Sequence, residues 1–306
     1  MPRGRQKKIR FTAQDENPQM SLMPEYDWDF VDGAVKKVLL AWELHTQSLK
    51  NETPMLLAFS GGKDSVCLYH ICKMASEELG VPFEKMFHAQ YNITNLDPPE
   101  LVRFVREKFP DVEMHHPEKT FWELLIEKKM PPFRSQRWGC SELKEISTLP
   151  NAFSLTGVRK AESRKRADRS GVEGLGKKLS DRITLLNDND ELRKDIDVCS
   201  LKRAWVCNPL IDWSDEQVWA FIKHENLPYC SLYDEGFKRL GCIGCPLASD
   251  KDRARDFERW PGFKKQYIRS FQKMLEWYRS NERERERKAT ARHLAFNSLF
   301  RRAGCV

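Results

Sequence analysis

Apolar positions along this chain follow two alternating periods. Val31, Val35, Val38 and Trp42 recur at i, i+4, i+7 and i+11, one face of a helix over residues 28 to about 50. Residues 55–59 form a short continuous apolar run, the pattern of a buried strand, and beyond Ser60-Gly61-Gly62 an amphipathic helix opens. Residues 83–91 read as a strand, and Asp97-Pro98-Pro99-Glu100 starts a helix through Phe109. Residues 112–115 and 152–158 read as strands, with a helix over 120–130 between them. Ser214 and Gln217 form a capping box for a helix to about Glu225, and residues 263–280 are helical. This alternation predicts an α/β fold, a doubly wound, mostly parallel sheet with helices on both faces. Ligands of such sheets sit beyond the carboxyl ends of the strands.

The 306 residues suffice for one large core with an appended region. Residues 1–25 lack a periodic apolar face and contain Pro2, Pro18 and Pro24, so they read as a basic arm. Residues 26–225 form the α/β domain, interrupted at about 170–203 by a polar insertion read as a mobile lid-like segment, and residues 226–306 hold a cysteine loop and a helical region. With 40% hydrophobic and 32% charged residues the composition is globular, and no apolar run reaches the length of a membrane span. The basic N-terminus lacks a signal peptide's apolar stretch, so the expected location is cytoplasmic. In that reducing compartment the nine cysteines are core thiols, metal ligands or redox groups rather than disulfides.

The net charge of +7 suits anionic ligands, and the basic residues are clustered. Five of the first ten residues are Lys or Arg, which suits nucleic acid, and six lie within 159–169, which suits a nucleotide. At Ser60-Gly61-Gly62-Lys63-Asp64-Ser65 the glycines permit a turn that faces backbone N–H groups to a ligand, at the positive end of the next helix. Lys63 adds a cation, Ser60 and Ser65 add hydroxyls, and Asp64 can orient Lys63 or hold Mg2+. A second strand ends at Gly157 and delivers Arg159, Glu162, Ser163 and Arg166, whose guanidinium forks grip phosphate or sulfate.

The loop is not the common P-loop and resembles instead the SGGxDS loop of the PP-loop ATP pyrophosphatases and the phosphoadenosine phosphosulfate (PAPS) reductases. Residues 156–166 are similar to that family's G-x-R-x-x-[EQ]-S-x-x-R motif, and Cys140 with Lys144 to its C-x-x-x-K element. Residues 208–219 resemble its P-L-x-x-W-x-x-x-x-V-W segment, in which Trp213, Val218 and Trp219 read as packing residues. Residues 233–245 resemble its Y-D-x-G-[YF]-x-x-[LIV]-G-C-x-x-C segment, which puts Cys242 and Cys245 in a Gly-rich turn able to aim two thiolates at one metal. With Cys140 and Cys230 they make four thiolate candidates, for which the resemblance implies a 4Fe-4S cluster, with zinc as the alternative. Cys67 and Cys72 read as core thiols.

Two departures matter. Gly139 stands where cluster-bearing reductases have a second adjacent cysteine, and the reductases' C-terminal E-C-G-L-H motif is absent, leaving Cys305 as the tail thiol. The resemblance is therefore closer to the iron-sulfur phosphorothioation and mobile-element branch. It implies ATP or a related adenine nucleotide on Ser60–Ser65, with Lys63, Asp64, Arg159 and Arg166 acting in cleavage at the α-phosphorus and Lys144 and Gly157 lining the site. Sulfur would then enter an adenylated acceptor, nucleic acid first among the candidates, with a sulfur donor protein, a nucleic-acid-binding partner protein or a homodimer as partners. The alternatives are a PAPS or adenosine 5'-phosphosulfate (APS) reductase releasing sulfite, and a non-catalytic nucleotide-binding regulatory or adaptor protein.

Overall fold

The computed structural model describes residues 28–48, 52–133, 136–146, 149, 153–162, 172–174, 182–184, 197–199 and 205–280. Strands β1 (Met55–Ala58), β2 (Phe87–Asn92), β3 (Glu113–His115), β4 (Phe153–Leu155) and β8 (Trp205–Cys207) pair in parallel, and β5 (Val172–Gly174) closes the edge antiparallel to β8. The order β3-β2-β1-β4-β8-β5 reverses direction between β1 and β4. Such a switch point opens a crevice at the strands' carboxyl ends. The connections through α2 (Lys63–Leu79) and α4 (Pro99–Lys108) run one way along the sheet, from β1 to β3, and the connection holding α5 (Phe121–Lys128) and α6 (Trp138–Leu143) runs back the other way to β4, a reversal that right-handed crossovers turn into helices on both faces. The expected doubly wound α/β architecture is present.

The core follows from the apolar runs. Leu57 of β1, Leu155 of β4, and Val66 and Ile71 of α2 are fully buried, each contributing roughly 1.5–3 kcal/mol of transfer free energy. Helix α1 (Asp29–Glu43) buries Val31, Val35 and Val38, the stripe expected from their spacing, and packs on α2. Cys67, Cys72 and Cys207 are buried core thiols. A second cluster joins Phe121, Leu124 and Leu125 of α5 and Trp138 of α6 to Tyr267, Phe271 and Met274 of α9 (Pro261–Ser280), so the C-terminal helix is packed against the α/β body.

Several elements depart from the expected ones. Helix α1 ends at Glu43 and widens into a π-helical turn, Leu44–Ser48, where the Thr46 hydroxyl donates to the Trp42 carbonyl at 2.9 Å and competes with the backbone ladder. The strand expected over 83–91 begins at Phe87, because Pro82 opens a short helix α3 (Phe83–Met86). The insertion is not without structure: it supplies β5 to the main sheet and a small antiparallel pair, β6 (Arg182–Thr184) with β7 (Asp197–Cys199). Helix α8 (Asp250–Arg259) has no apolar stripe, and the residues it buries are Arg253 and Asp256, so periodicity gives no sign of it. Helix α7 (Asp215–His224) begins at the expected capping box.

His70, on α2, has its pKa pushed down to about 4 by burial and then by the Lys73 ammonium. The fold therefore prefers the neutral imidazole, and this stability is fully present above pH 6.5 and lost as pH falls through about 4. His45, also buried and shifted downward by burial, acts in the same direction. The urea midpoint should fall between pH 6.5 and 4, and His70→Gln should flatten that slope. An identical pH dependence in the variant would remove His70 from the account.

Candidate functional site

The loop after β1 is shaped by contacts on three sides. Gly61 has φ +71°, and a Cβ there would lie 2.7 Å from the side chains of Leu101 and Val105, so no other residue fits without displacing α4. A Cβ on Gly157, at the end of β4, would lie 3.1 Å from the backbone carbonyl of Asp64. The two strand-end loops are thus pressed together across the switch point. At the start of α2 the Lys63 N–H donates to the Tyr233 hydroxyl at 2.9 Å, while the Ser65 hydroxyl donates to the Gly62 carbonyl at 2.8 Å and accepts from the Ser60 hydroxyl at 3.2 Å.

Beside this loop lies a network of two cations and two carboxylates. Arg159 is 2% exposed; its Nε donates to Asp64 at 2.6 Å, its Nη1 to the Trp213 carbonyl at 3.0 Å and its Nη2 to Asp215. Lys63 Nζ reaches Asp215 at 3.0 Å and Asp64 at 3.3 Å. Burial works against the ionised form of Asp215, but hydrogen bonds from Lys63 and Arg159 hold its pKa below the usual carboxylate value. For Arg159, burial is likewise outweighed by Asp64 and Asp215, which raise its pKa further. The network joins β1, β4 and α7, and a cavity of about 250 Å³ opens beside it. Ser60, Gly62, Asp64 and Ser65 line this cavity, together with Thr156 and Gly157 and with a wall segment that supplies Tyr233, Lys238, Arg239 and Leu240.

That wall runs directly into the thiol region. The Ile243 N–H donates to the Leu96 carbonyl at 2.7 Å, and the Thr94 hydroxyl lies 3.7 Å from the Cys242 sulfur. Lys144 faces Cys242 foremost, with Asp97 and Cys245 also near, and these neighbours raise its pKa against the effect of burial. Lys144 thus stands on the thiol side of the site. Burial raises the pKa of Cys245, which also senses the charges of Cys242 and Cys140, and Arg137 Nη2 donates to the Cys140 sulfur at 3.5 Å. Helix α8 holds this loop: Asp256 accepts the Gly244 N–H at 3.1 Å, and Arg253 donates to the carbonyls of Pro246 and Ala248 at 3.2 and 2.6 Å.

Cys140, Cys242 and Cys245 are therefore neighbours, and Cys230, in the main hydrophobic core with Ile243, shares with Cys242 the surroundings of Tyr91. Among the described residues no three His, Cys, Asp or Glu side chains are arranged as a metal-holding group. The donor set nevertheless fits a thiophilic group in kind. The buried Tyr91 hydroxyl, beside Asp97, is within electrostatic reach of Cys242 and Cys230, so polar groups and thiols converge at this place. Glu162 ends a short turn, Lys160–Glu162, while Ser163, Arg166 and Cys305 lie outside the described residues. Neither Asp215 nor Tyr233 is named as a site residue from the sequence: Asp215 lies in the first turn of a capped helix, and Tyr233 opens the segment similar to the family's Y-D-x-G motif.

Several known proteins are similar to this chain. An uncharacterized protein of Methanocaldococcus jannaschii is 28% identical over 242 residues, 71% of this chain, which spans only 43% of that protein. The adenosine 5'-phosphosulfate reductase of Oceanobacillus iheyensis is 27% identical over 79% of this chain and 90% of its own length. A phosphoadenylyl-sulfate (PAPS) reductase from Candida auris aligns over 72% of this chain and 97% of its own at 16% identity and a TM-score of 0.39. An FMN adenylyltransferase of Candida glabrata aligns over 74% of this chain and 69% of its own at 15% identity and a TM-score of 0.40. The fold rests on the strand order rather than on these two weak likenesses. The model of the phosphoadenosine phosphosulfate reductase domain matches residues 54–248, a span that holds the glycine loop, the ion-pair network and the C-x-x-C turn, and the chain belongs to that family.

Proposed function

We propose that this chain is an adenine-nucleotide-dependent enzyme of sulfur chemistry that adenylates an acceptor. The observation that carries the reading is the shared wall: the segment closing the phosphate-loop cavity at Tyr233 and Leu240 reaches Cys242 two residues later, so nucleotide and thiols meet at one place. ATP would lie with its phosphates against Ser60–Ser65 and the N-terminus of α2. An acceptor oxygen attacks the α-phosphorus, the bond to the β-phosphate's bridging oxygen breaks, and pyrophosphate leaves with the electron pair while the acceptor's proton passes to solvent. Lys63 and Arg159, held in place by Asp64 and Asp215, offset the charge that develops on the phosphates, with Arg166 assigned the same role by the family motif. Asp64 is the candidate Mg2+ ligand.

A sulfur nucleophile from a donor protein then displaces AMP from the adenylated centre. Nucleic acid is the favoured acceptor, on the strength of the basic residues 1–10. Cys140, Cys242 and Cys245, with Cys230 as fourth ligand, would hold a 4Fe-4S cluster, or zinc as the alternative, beside the Lys144 cation. Such a group would supply thiophilic chemistry next to the nucleotide. The second reading, sulfite release from APS or PAPS, is favoured by the 27% identity to a protein named as an APS reductase. It needs a nucleophilic thiol, for which Cys305 is the candidate.

ATP/pyrophosphate exchange decides between them. Exchange stimulated by a nucleic-acid acceptor is the expected result. Sulfite release from APS or PAPS without exchange would replace it with the reductase reading, and nucleotide binding with neither reaction would leave a regulatory protein.

Asp215→Asn should lower turnover about tenfold or more, because Lys63 and Arg159 lose a shared anchor, while the KM for ATP stays level or falls as negative charge leaves the site. A raised KM with unchanged turnover would mean that Asp215 has no role in orienting the cations. Anaerobically purified protein should carry about four irons and about four sulfides per chain, lost in Cys242→Ser. Stoichiometric zinc, or folded protein without metal, would exclude the cluster.

A further inference from the structure

Cys140 reaches the thiol region on α6, a helix of six residues, and the carbonyls at the end of so short a helix need partners from outside it. They find them on the sheet. Asn92, the last residue of β2, donates from its side-chain amide to the Lys144 carbonyl and to the Ile146 carbonyl, both at 2.8 Å. Gln90, two residues earlier and so on the same face of the strand, is 3% exposed, and its amide donates to the Ile146 carbonyl at 3.0 Å and to the Asn92 side-chain oxygen. Two amides on one face of a strand thus grip the chain just past α6. Amides suit the task, since each carries two N–H donors and can be buried without the cost of burying a charge.

The grip bears directly on Cys140. Its carbonyl accepts the N–H groups of Lys144 and Glu145, both at 2.9 Å, so the residues held by β2 are those that close the turn begun by the cysteine. On its other side Gln90 is paired in register with Ala58 of β1, and its carbonyl accepts the Phe59 N–H at 2.9 Å, one residue before Ser60. Gln90 therefore holds the entry to the phosphate loop through its backbone and the end of the thiol helix through its side chain. Cys242 and Cys245 have separate support, from Leu96 and from α8. Positions 90 and 92 lie outside the motif segments 60–65, 140–144, 156–166, 208–219 and 233–245, so the motifs do not assign them a role.

We propose that Gln90 and Asn92 are positioning residues for Cys140, a clamp that sets its thiol at a fixed place relative to the phosphate loop and beside Cys242 and Cys245. This rests on the reading of Cys140 as a member of the thiol site above, and adds the pair that fixes its place.

The test is alkylation of the full chain, anaerobically purified, by iodoacetamide, with each cysteine followed by peptide mass spectrometry in wild type, Asn92→Ala and Gln90→Met. Cys67, Cys72 and Cys207, buried in the core, report any general opening of the fold. Cys140 of wild type should react at least about tenfold more slowly than in the guanidinium-unfolded chain. Asn92→Ala should raise its rate about tenfold, the size expected when two hydrogen bonds are lost, and Gln90→Met, which leaves the Asn92 contacts in place, should raise it less. The three core thiols should stay protected throughout. An unchanged Cys140 rate in both variants would overturn the clamp. So would core thiols that become reactive together with Cys140 in both, since the amides would then be general supports of the fold. ATP affinity, measured by calorimetry, should be unchanged in Asn92→Ala, because Gln90 holds Phe59 through its backbone; lost ATP binding with an unchanged Cys140 rate would also overturn the clamp. The thiol readout needs no nucleotide, so wild type that binds no ATP would overturn the nucleotide reading and leave the clamp to stand or fall on the Cys140 rates.

Discussion

Arg159 is the constraint on which the site depends. A guanidinium that is 2% exposed must be fully partnered, because an uncompensated buried charge costs several kcal/mol. Its partners are Asp64 on α2, Asp215 on α7 and the Trp213 carbonyl just before α7. Satisfying one side chain therefore fixes the loop after β1, the end of β4 and the entry to α7 relative to one another. Lys63 is placed as a consequence, since its ammonium shares the same two carboxylates. Trp213 is secured in turn: its indole N–H donates to the Phe30 carbonyl at 3.2 Å and its ring meets Phe221 edge-on. The polar network is thereby tied to the packing of α1 and α7.

A second dependence runs along the cavity wall that begins at Tyr233. Tyr233 accepts the Lys63 N–H, Phe237 sits in the core, and Ile243 is hydrogen-bonded to Leu96, so the segment joining nucleotide cavity and thiols is fixed at its start, middle and end. Gly244, at φ +62°, would place a Cβ 2.3 Å from Phe257, so the turn between Cys242 and Cys245 requires glycine while α8 is docked against it. Asp256 and Arg253 complete that docking with hydrogen bonds to the loop's backbone. The cysteine loop and the phosphate loop share one mechanical support, and the family match covers both.

Much of the framework was legible in the chain itself. Short apolar runs gave β1 and β4, the spacing of Val31, Val35 and Val38 gave α1, and Ser214 with Gln217 gave the start of α7, because each is dictated by neighbours within a few residues. The glycine loop was legible for the same reason: the turn and the helix start are local chemistry. Sequence could also name Arg159 and the cysteines as candidates, since guanidinium forks and thiolates have narrow uses. What lay beyond it came from long-range contacts. Asp215 lies 152 residues from Lys63, and nothing around it in the chain distinguishes it from an acid stabilising a helix's first turn. Helix α8 escaped because the residues it buries, Arg253 and Asp256, hydrogen-bond the cysteine loop's backbone in place of an apolar stripe, and β5 because an edge strand of three residues carries almost no periodic signal. Likewise, bringing Cys140 beside Cys242 and Cys245 depends on how α6 and the Leu96 segment pack. Composition and spacing determine which chemistry this chain can perform, because they fix the local backbone and the kinds of side chain. The tertiary structure alone decided which of those side chains meet, because burying Arg159 and the C-x-x-C turn demands partners that are remote in sequence.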